Sequence, residues 1–274
     1  MQLFKLKTTP EQKQKKINAV LARCGLDIEG VNLVEHVNSK SLKQVRNSIN
    51  SASKTGKISG FITTALNAIS PLPAGFTDPY TGAVHVQRKT GVLIRLHETV
   101  HGHDLTKTEI GRLMSASIVQ ENSISLRHPV EFIMFKLEEI RLQTILEGRA
   151  KFCEKLAGRD MEFGIFERVK FKLSVNTEAL LFVITSSMTM TALINAFQNK
   201  NQIWIGITLM AGGLALWSTT MLAPYVQGMW FMEKINQKIK NPKKAIEITA
   251  ERPPTTKEIF LSPNAYLRRV LHQQ

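Results

Sequence analysis

The sequence predicts a mainly helical α+β fold with a small sheet ahead of one central helix, together with a two-helix transmembrane hairpin. Apolar residues recur at helical spacing over residues 10–24 and 130–156, whereas only a short stretch before the central helix alternates like a strand. The hairpin is predicted by two long segments without charge, residues 179–197 and 203–230. A segment of about twenty apolar residues is long enough to cross a bilayer.

The first predicted region, residues 1–60, is basic and helical. Residues 10–24 begin with a proline and end before a glycine, which are the usual start and stop signals of a helix. Residues 31–37 are expected to form a short strand or a loop, and residues 41–53 a second basic helix. This region therefore precedes the central helix as a separate helical segment.

The central helix is predicted around His97, Glu98 and His101, which form an H-E-x-x-H sequence after an apolar run. Residues four apart share one face of a helix, so both imidazoles can reach one metal ion. Glu98 is turned to one side, where it could hold a metal-bound water and take its proton. The pentapeptide alone also fits a surface helix with one Glu and two His residues. The neighbouring sequence therefore decides between a metal site and an ordinary surface helix.

A second predicted helix carries a candidate third ligand. Residues 130–156 place apolar side chains on one stripe, and Glu147 lies on or near that stripe. A carboxylate on an apolar face is unfavourable unless it is paired or bound to a metal ion. The next residue, Gly148, leaves room for close approach of the helix with the two histidines. The other acidic residues of this helix that can be accommodated on the outside are Glu138, Glu139 and Glu154.

Two further motifs flank the H-E-x-x-H sequence. A GF-x-DP-x-TG segment, residues 75–82, stands before the predicted strand, and an E-G-x-A segment, residues 147–150, follows the central helix. This order of motifs resembles the zincin metallopeptidases, specifically the gluzincin-like group, whose third zinc ligand is a Glu on a second helix. The resemblance covers roughly residues 74–152. It implies a mainly helical, zincin-like catalytic domain over residues 61–173.

The resemblance implies roles for four residues. His97, His101 and Glu147 would bind one Zn²⁺ per chain, and Glu98 would be the general base in hydrolysis of a peptide or protein substrate. The chain would then be a zinc metallopeptidase. The group that stabilises the oxyanion stays open, and the candidates are His85, His103, His128, Tyr80 and Arg149.

Two further assignments complete the predicted site. An extended substrate would add to an exposed edge strand containing Val84, His85 and Val86. Asp104 either accepts the second ring N–H of a zinc-binding histidine or ends the helix. The sequence departs from the metzincins, because Asp104 occupies the position of their Gly. It departs from the thermolysin-like second motif, because Lys151 stands in place of the Asp.

The composition restricts the partners. The chain has 274 residues and a formal net charge of +14, which fits nucleic acid or an anionic membrane surface. No RNP-like motif, zinc finger or basic stripe with interleaved aromatics is present, so no nucleic-acid partner is expected. Cys24 and Cys153 lack C-x-x-C spacing and indicate unpaired thiols of a reducing compartment.

The transmembrane helices are predicted at about residues 179–197 and 203–226, within the region 177–230. Lysines flank the pair on both sides, whereas the connecting loop carries only one. The positive-inside rule then places the catalytic body and both termini in the cytoplasm. The expected localisation is an integral protein of the inner or plasma membrane, with the lipid bilayer as a partner. Residues 231–274 are expected to form a basic cytoplasmic tail.

Three functions are consistent with these patterns. The first is a membrane-anchored zinc metallopeptidase, and the second is a non-catalytic membrane adaptor or binding protein on a zincin-like scaffold. The third is a basic protein that binds a membrane surface or nucleic acid, in which the H-E-x-x-H sequence is accidental. Replacing Glu98 with Gln separates the first two, and metal analysis tests the third.

Overall fold

The computed structural model describes residues 9–27, 29–52, 74–121, 129–159 and 226–271, together with Thr191 and Ile194. This part of the chain is mostly helical and contains a small three-stranded sheet. Its elements are, in chain order, α1 (Pro10–Cys24), β1 (Leu33–His36), α2 (Ser39–Ala52), β2 (Gly75–Thr77), β3 (Val84–Gln87), α3 (Val92–Lys107), α4 (Glu109–Glu121), α5 (Pro129–Arg159), α6 (residues 226–239), α7 (Pro242–Glu251), α8 (Thr256–Phe260) and α9 (Pro263–Leu271).

The structure confirms the predicted start and stop signals of α1. Thr9 and Gln12 form a capping box, in which each side chain accepts a hydrogen bond from the backbone N–H of the other residue. The helix ends at Gly25, whose φ of 71° lies in the left-handed region that glycine adopts without strain. The capping chemistry and the terminal glycine therefore determine the bounds of α1.

The sheet has the strand order β1-β3-β2, with β3 parallel to β1 and antiparallel to β2. This order corrects the prediction that Val84, His85 and Val86 form an exposed edge strand. Their strand, β3, is central, so its backbone groups are paired on both sides and cannot accept a further peptide strand. The prediction was wrong because β1, far away in the sequence, covers the edge that the hairpin would otherwise expose.

The D-P-x-T-G part of the GF-x-DP-x-TG segment forms the turn between β2 and β3. The carboxylate of Asp78 accepts hydrogen bonds from the Tyr80 N–H at 3.0 Å and the Thr81 hydroxyl at 2.5 Å. Gly82 has a φ of 68° and completes the turn. This turn returns the chain into β3 directly before α3.

Helix α3 lies between the sheet and the helices α1 and α5. Gly102 permits its close approach to the sheet, because a Cβ there would lie 2.5 Å from Cγ2 of Val84. Gly148 on α5 has a different neighbour from the one expected. A Cβ at Gly148 would lie 2.4 Å from the backbone of Gly228, so this glycine allows close contact of α5 with α6 and not with α3.

The larger of two apolar core clusters joins the beginning, the middle and the end of the described chain. Leu21 of α1, Leu96 of α3, Phe231 of α6 and Tyr266 of α9 are all buried in it. The Tyr266 hydroxyl donates to the carbonyl of Ile248 at 3.1 Å. Residues 231–274, expected to be a tail, therefore contribute three helices and the end of a fourth to the body of the protein.

No helix within the described residues is long and apolar enough to cross a membrane. The longest of them, α5, has 31 residues but carries acidic and basic side chains along its whole length. This finding overturns the transmembrane hairpin in the predicted fold class and the predicted localisation as an integral membrane protein. The two predicted spans, residues 179–197 and 203–226, lie outside the described residues except for Thr191, Ile194 and Val226.

Candidate metal centre

Three side chains converge between α3 and α5. The Nε2 atoms of His97 and His101 lie 3.0 Å apart. Glu147 places Oε2 at 3.3 Å from Nε2 of His97 and Oε1 at 3.4 Å from Nε2 of His101. Potential ligand atoms of the three residues all lie within 4.8 Å of one another, so the group can hold a metal ion. The structure thus brings together the three residues that the sequence predicted as ligands.

The chemistry of this group fits a cation. Oε2 of Glu147 is buried and finds no hydrogen-bond donor among the described residues, because its approach to His97 lacks hydrogen-bond alignment. A buried carboxylate oxygen without a donor is unfavourable. A metal ion between the imidazoles and the carboxylate would satisfy all three groups, since neutral His nitrogens and carboxylate oxygens are both zinc ligands.

Opposing effects determine the protonation of the group. Burial disfavours the charged form of His97, but the carboxylates of Glu154 and Glu147 outweigh it and raise the pKa of His97 to about 10. Burial also opposes ionisation of Glu147, but His101 and His97 outweigh it and hold the pKa of that carboxyl well below its usual range. A proton on His97 therefore provides the positive charge that a metal ion would otherwise provide.

Glu154 is a residue of the site that sequence reasoning placed on the outside of the helix. It is 4% exposed, and its Oε1 lies 2.7 Å from Nδ1 of His97. A carboxylate on the second nitrogen of a ligating histidine orients the ring and raises its basicity. The signal that could have found it is its spacing from Glu147, because residues two helical turns apart share one face.

Asp104 has partners other than the two histidines. Arg149 donates to its carboxylate oxygens at 2.7 Å and 2.8 Å, and both side chains are fully buried. Nδ1 of His103 lies 3.2 Å from the same carboxylate. Arg149 also donates to the carbonyl of Ile246, which joins α7 to α3 and α5. Because α3 continues to Lys107, Asp104 does not end the helix either.

The five candidates for stabilising an oxyanion lie in different surroundings. His103 and Arg149 are bound to Asp104, as described above. His85, on the central strand, lies 2.9 Å from a ring nitrogen of His36 on β1. The remaining two are an exposed side chain of the β2–β3 turn and a residue outside the described part of the chain, Tyr80 and His128.

Arg46 on α2 is a cation near the site that sequence reasoning did not single out. Its side chain is partly buried, and this burial lowers its pKa, whereas the negative charge of Glu98 acts in the opposite direction. The opposite charges of the two side chains therefore attract each other. Arg46 stands one helical turn after the buried Leu42, and this position on the inward side of α2 is the signal that could have found it.

Glu98 is partly exposed and follows the first histidine on α3. The Thr77 hydroxyl lies 2.9 Å from its Oε2 atom, so β2 contacts the carboxylate directly.

Comparison of the chain with protein-family models, curated proteins and solved structures finds no match. The chemistry of the site therefore follows from its own geometry: two imidazoles and one carboxylate that can hold a metal ion, with a second carboxylate beside them.

Proposed function

We propose that this chain is a zinc-dependent peptidase that hydrolyses peptide bonds of a peptide or protein substrate. The convergence of His97, His101 and Glu147 on one point carries this proposal. Catalytic zinc sites use three protein ligands of these types and leave a fourth position for water or substrate. Glu98 provides the carboxylate that such a reaction needs as a base.

Each residue of the site has a distinct task. His97, His101 and Glu147 would hold Zn²⁺, which supplies Lewis acidity and lowers the pKa of water towards about 7 when bound. The carboxylate of Glu154 lies 2.7 Å from Nδ1 of His97 and would orient this ring, so that Nε2 is directed towards the other two ligands. Glu98 takes a proton from the attacking water and passes it to the leaving amine as the peptide bond breaks.

The substrate is proposed to lie along β2 rather than β3. β2 stands at one end of the strand order in the described sheet and contacts α3, whereas β3 is paired on both sides. An extended peptide can add to a sheet edge through main-chain hydrogen bonds. A peptide in this position would pass the carboxylate of Glu98.

The proposal is tested by zinc analysis and by mass spectrometry of a peptide mixture incubated with the purified protein. We expect cleavage that a chelator abolishes and added Zn²⁺ restores. Glu98→Gln should retain stoichiometric zinc but lose about 10²- to 10⁴-fold in turnover, the range expected for loss of a general base. The matched control is Glu109→Gln, which removes a carboxylate that pairs with Arg112 on α4.

Two results would contradict the proposal. One is the absence of any chelator-sensitive cleavage by the wild type, and the other is full activity of Glu98→Gln. Stoichiometric zinc without turnover would instead identify a metal-dependent binding protein at the same site.

A further inference from the structure

Strand β2 touches the side chain of Glu98 at two points. Gly75 and Thr77 are alternate residues of the strand and therefore face the same side. Oγ1 of Thr77 lies 2.9 Å from Oε2 of Glu98 and 3.1 Å from its backbone oxygen. A Cβ at Gly75 would lie 3.0 Å from Cγ of Glu98. The strand thus contacts the carboxylate through Thr77 and leaves no room beyond a glycine beside the stem.

We propose that β2 positions Glu98 for catalysis, with Thr77 holding its carboxylate and Gly75 leaving room for its stem. This inference rests on the proposed peptidase function. Thr77 is a positioning residue, because its hydroxyl touches Glu98 and not the substrate.

The hydrogen bond from Thr77 restricts a side chain that is otherwise flexible. An unrestrained Glu side chain loses rotational freedom when it is fixed, and a base that is already fixed avoids that cost during the reaction. Within the described part of the chain, the carboxylate of Glu98 accepts its hydrogen bond through Oε2. Oε1 is therefore available to take the proton from water.

The Thr77 hydroxyl can donate its one proton to either of two oxygens of Glu98, the carboxylate Oε2 or the backbone oxygen. It therefore need not oppose the transfer of a proton from water to Glu98. While Glu98 is ionised, the bond to Oε2 is favoured because charge-assisted hydrogen bonds are stronger. After Oε1 has taken a proton from water, the carboxyl group is neutral and that advantage is lost. The hydroxyl can then turn to the backbone oxygen, 3.1 Å away, without movement of the strand.

Gly75 is required for a steric reason. A Cβ at this position would also lie 3.1 Å from Cγ1 of Val86 and 3.3 Å from the carbonyl oxygen of His85. These two atoms belong to β3, which is paired with β2 and leaves no space on that side. The flexible side chain of Glu98 would therefore have to move to make room for the added Cβ. The G-F-T part of the GF-x-DP-x-TG segment therefore shapes the site, whereas the part after it forms the turn.

The experiment compares Thr77→Val, which has the same shape without the hydroxyl, with Thr77→Ser, which retains the hydroxyl. Loss of a hydrogen bond to a charged group predicts a decrease in kcat of about 10- to 100-fold for Thr77→Val. KM and zinc content should stay unchanged, and Thr77→Ser should recover most of kcat. The matched control is Thr90→Val, because the Thr90 hydroxyl of the same region donates to the carbonyl of Ala74 at 2.8 Å.

A second measurement does not depend on activity or on the metal. In protein labelled with carboxyl-¹³C glutamate, the resonance that disappears in Glu98→Gln belongs to Glu98. We expect this resonance to shift in metal-free Thr77→Val, because the carboxylate has lost its donor. It should stay close to its wild-type position in Thr77→Ser and Thr90→Val. An unshifted resonance in Thr77→Val would overturn the proposal.

The outcomes separate this inference from the peptidase function. If Glu98→Gln is inactive while Thr77→Val retains the kcat of Thr90→Val, the role of Thr77 is overturned and the peptidase proposal stands. If the wild type shows no chelator-sensitive cleavage, the peptidase proposal falls, and the catalytic role of Thr77 falls with it. Gly75→Ala should lower kcat in the folded protein, and unchanged kcat in this variant would overturn the role of Gly75.

Discussion

Two clusters of charged side chains lie between α3 and α5, and only one of them is complete. In the first, Arg149 donates to both oxygens of Asp104, and neither side chain is exposed. In the second, His97, His101 and Glu147 bring their ligand atoms together, but a buried oxygen of Glu147 finds no donor among the described residues. The same pair of helices thus holds a satisfied ion pair and an unsatisfied acceptor group.

The difference shows how to tell a structural cluster from a binding site. Buried polar groups are normally hydrogen-bonded, so a buried group without a donor calls for a particular explanation. The Asp104–Arg149 pair needs nothing more, and removing one partner should affect folding. The other cluster contains a carboxylate oxygen that has no donor among the described residues, and removing one of its members should affect metal binding.

The largest expected effect is on folding and concerns Arg149→Met. The substitution leaves the buried carboxylate of Asp104 without its partner, which should lower the free energy of unfolding by about 3–5 kcal/mol. Urea denaturation of the metal-free protein measures it. The double variant Asp104→Leu/Arg149→Met should recover most of the loss, since it removes both charges. A loss below about 1 kcal/mol in the single variant would contradict a structural role for the pair.

The next effect is on metal affinity and concerns Glu147→Gln. Removing one of three protein ligands should weaken zinc binding on the order of a thousandfold, about a quarter to two fifths of the free energy of a structural zinc site. Competition with a chromophoric chelator measures it, and circular dichroism should show a retained fold. The control is Glu131→Gln, an exposed carboxylate on the same helix. Equal zinc affinity of the two variants would exclude Glu147 as a ligand.

Acid should affect the complete cluster first through Asp104. Burial opposes its ionisation, but Arg149 outweighs this and lowers the pKa of Asp104 from 3.8 to about 2. A carboxyl group whose pKa is lower in the folded than in the unfolded protein stabilises the fold at a pH above its unfolded pKa. This contribution is lost as the pH falls from about 4 to about 2. The loss is on the order of 2 kcal/mol. In urea denaturation across this range, Asp104→Leu/Arg149→Met should show a smaller decrease, and an equal decrease would contradict the assignment.

The smallest expected effect concerns Glu154→Gln, which changes a partner of a ligand and not a ligand. Metal affinity should fall at least about tenfold, the lower end for a residue that orients a ligating histidine. The same chelator competition measures it, with Glu131→Gln again as the control. A loss as large as that of Glu147→Gln would place Glu154 among the ligands themselves.

The three residues of the candidate metal centre were predicted from the sequence because their signals are local. The spacing of His97 and His101 places both on one helical face, and Glu147 stood out as a charge among apolar residues of α5. Glu154 was missed, although it shares that face two turns later, because its partner His97 lies on another helix. The partner of Asp104 could likewise not be predicted from the sequence, because Arg149 on α5 contacts Asp104 only after α3 and α5 have packed.

The predicted edge strand and the predicted membrane helices also show that local sequence patterns do not determine tertiary pairing. The short strand β3 was readable from its alternating pattern, but its central place depends on pairing with β1 from the N-terminal region. The two segments without charge predicted a membrane hairpin from length and composition alone. No described helix is long and apolar enough for that, and the predicted localisation is corrected accordingly.

The sequence by itself determined the helices α1, α3 and α5 and the three residues of the candidate metal centre, because helical periodicity and capping act over a few neighbouring residues. Only the tertiary structure decided which carboxylate meets His97 and which strand touches Glu98. Those contacts join residues that are distant in the sequence, and their geometry exists only once helices and sheet have packed around a common core.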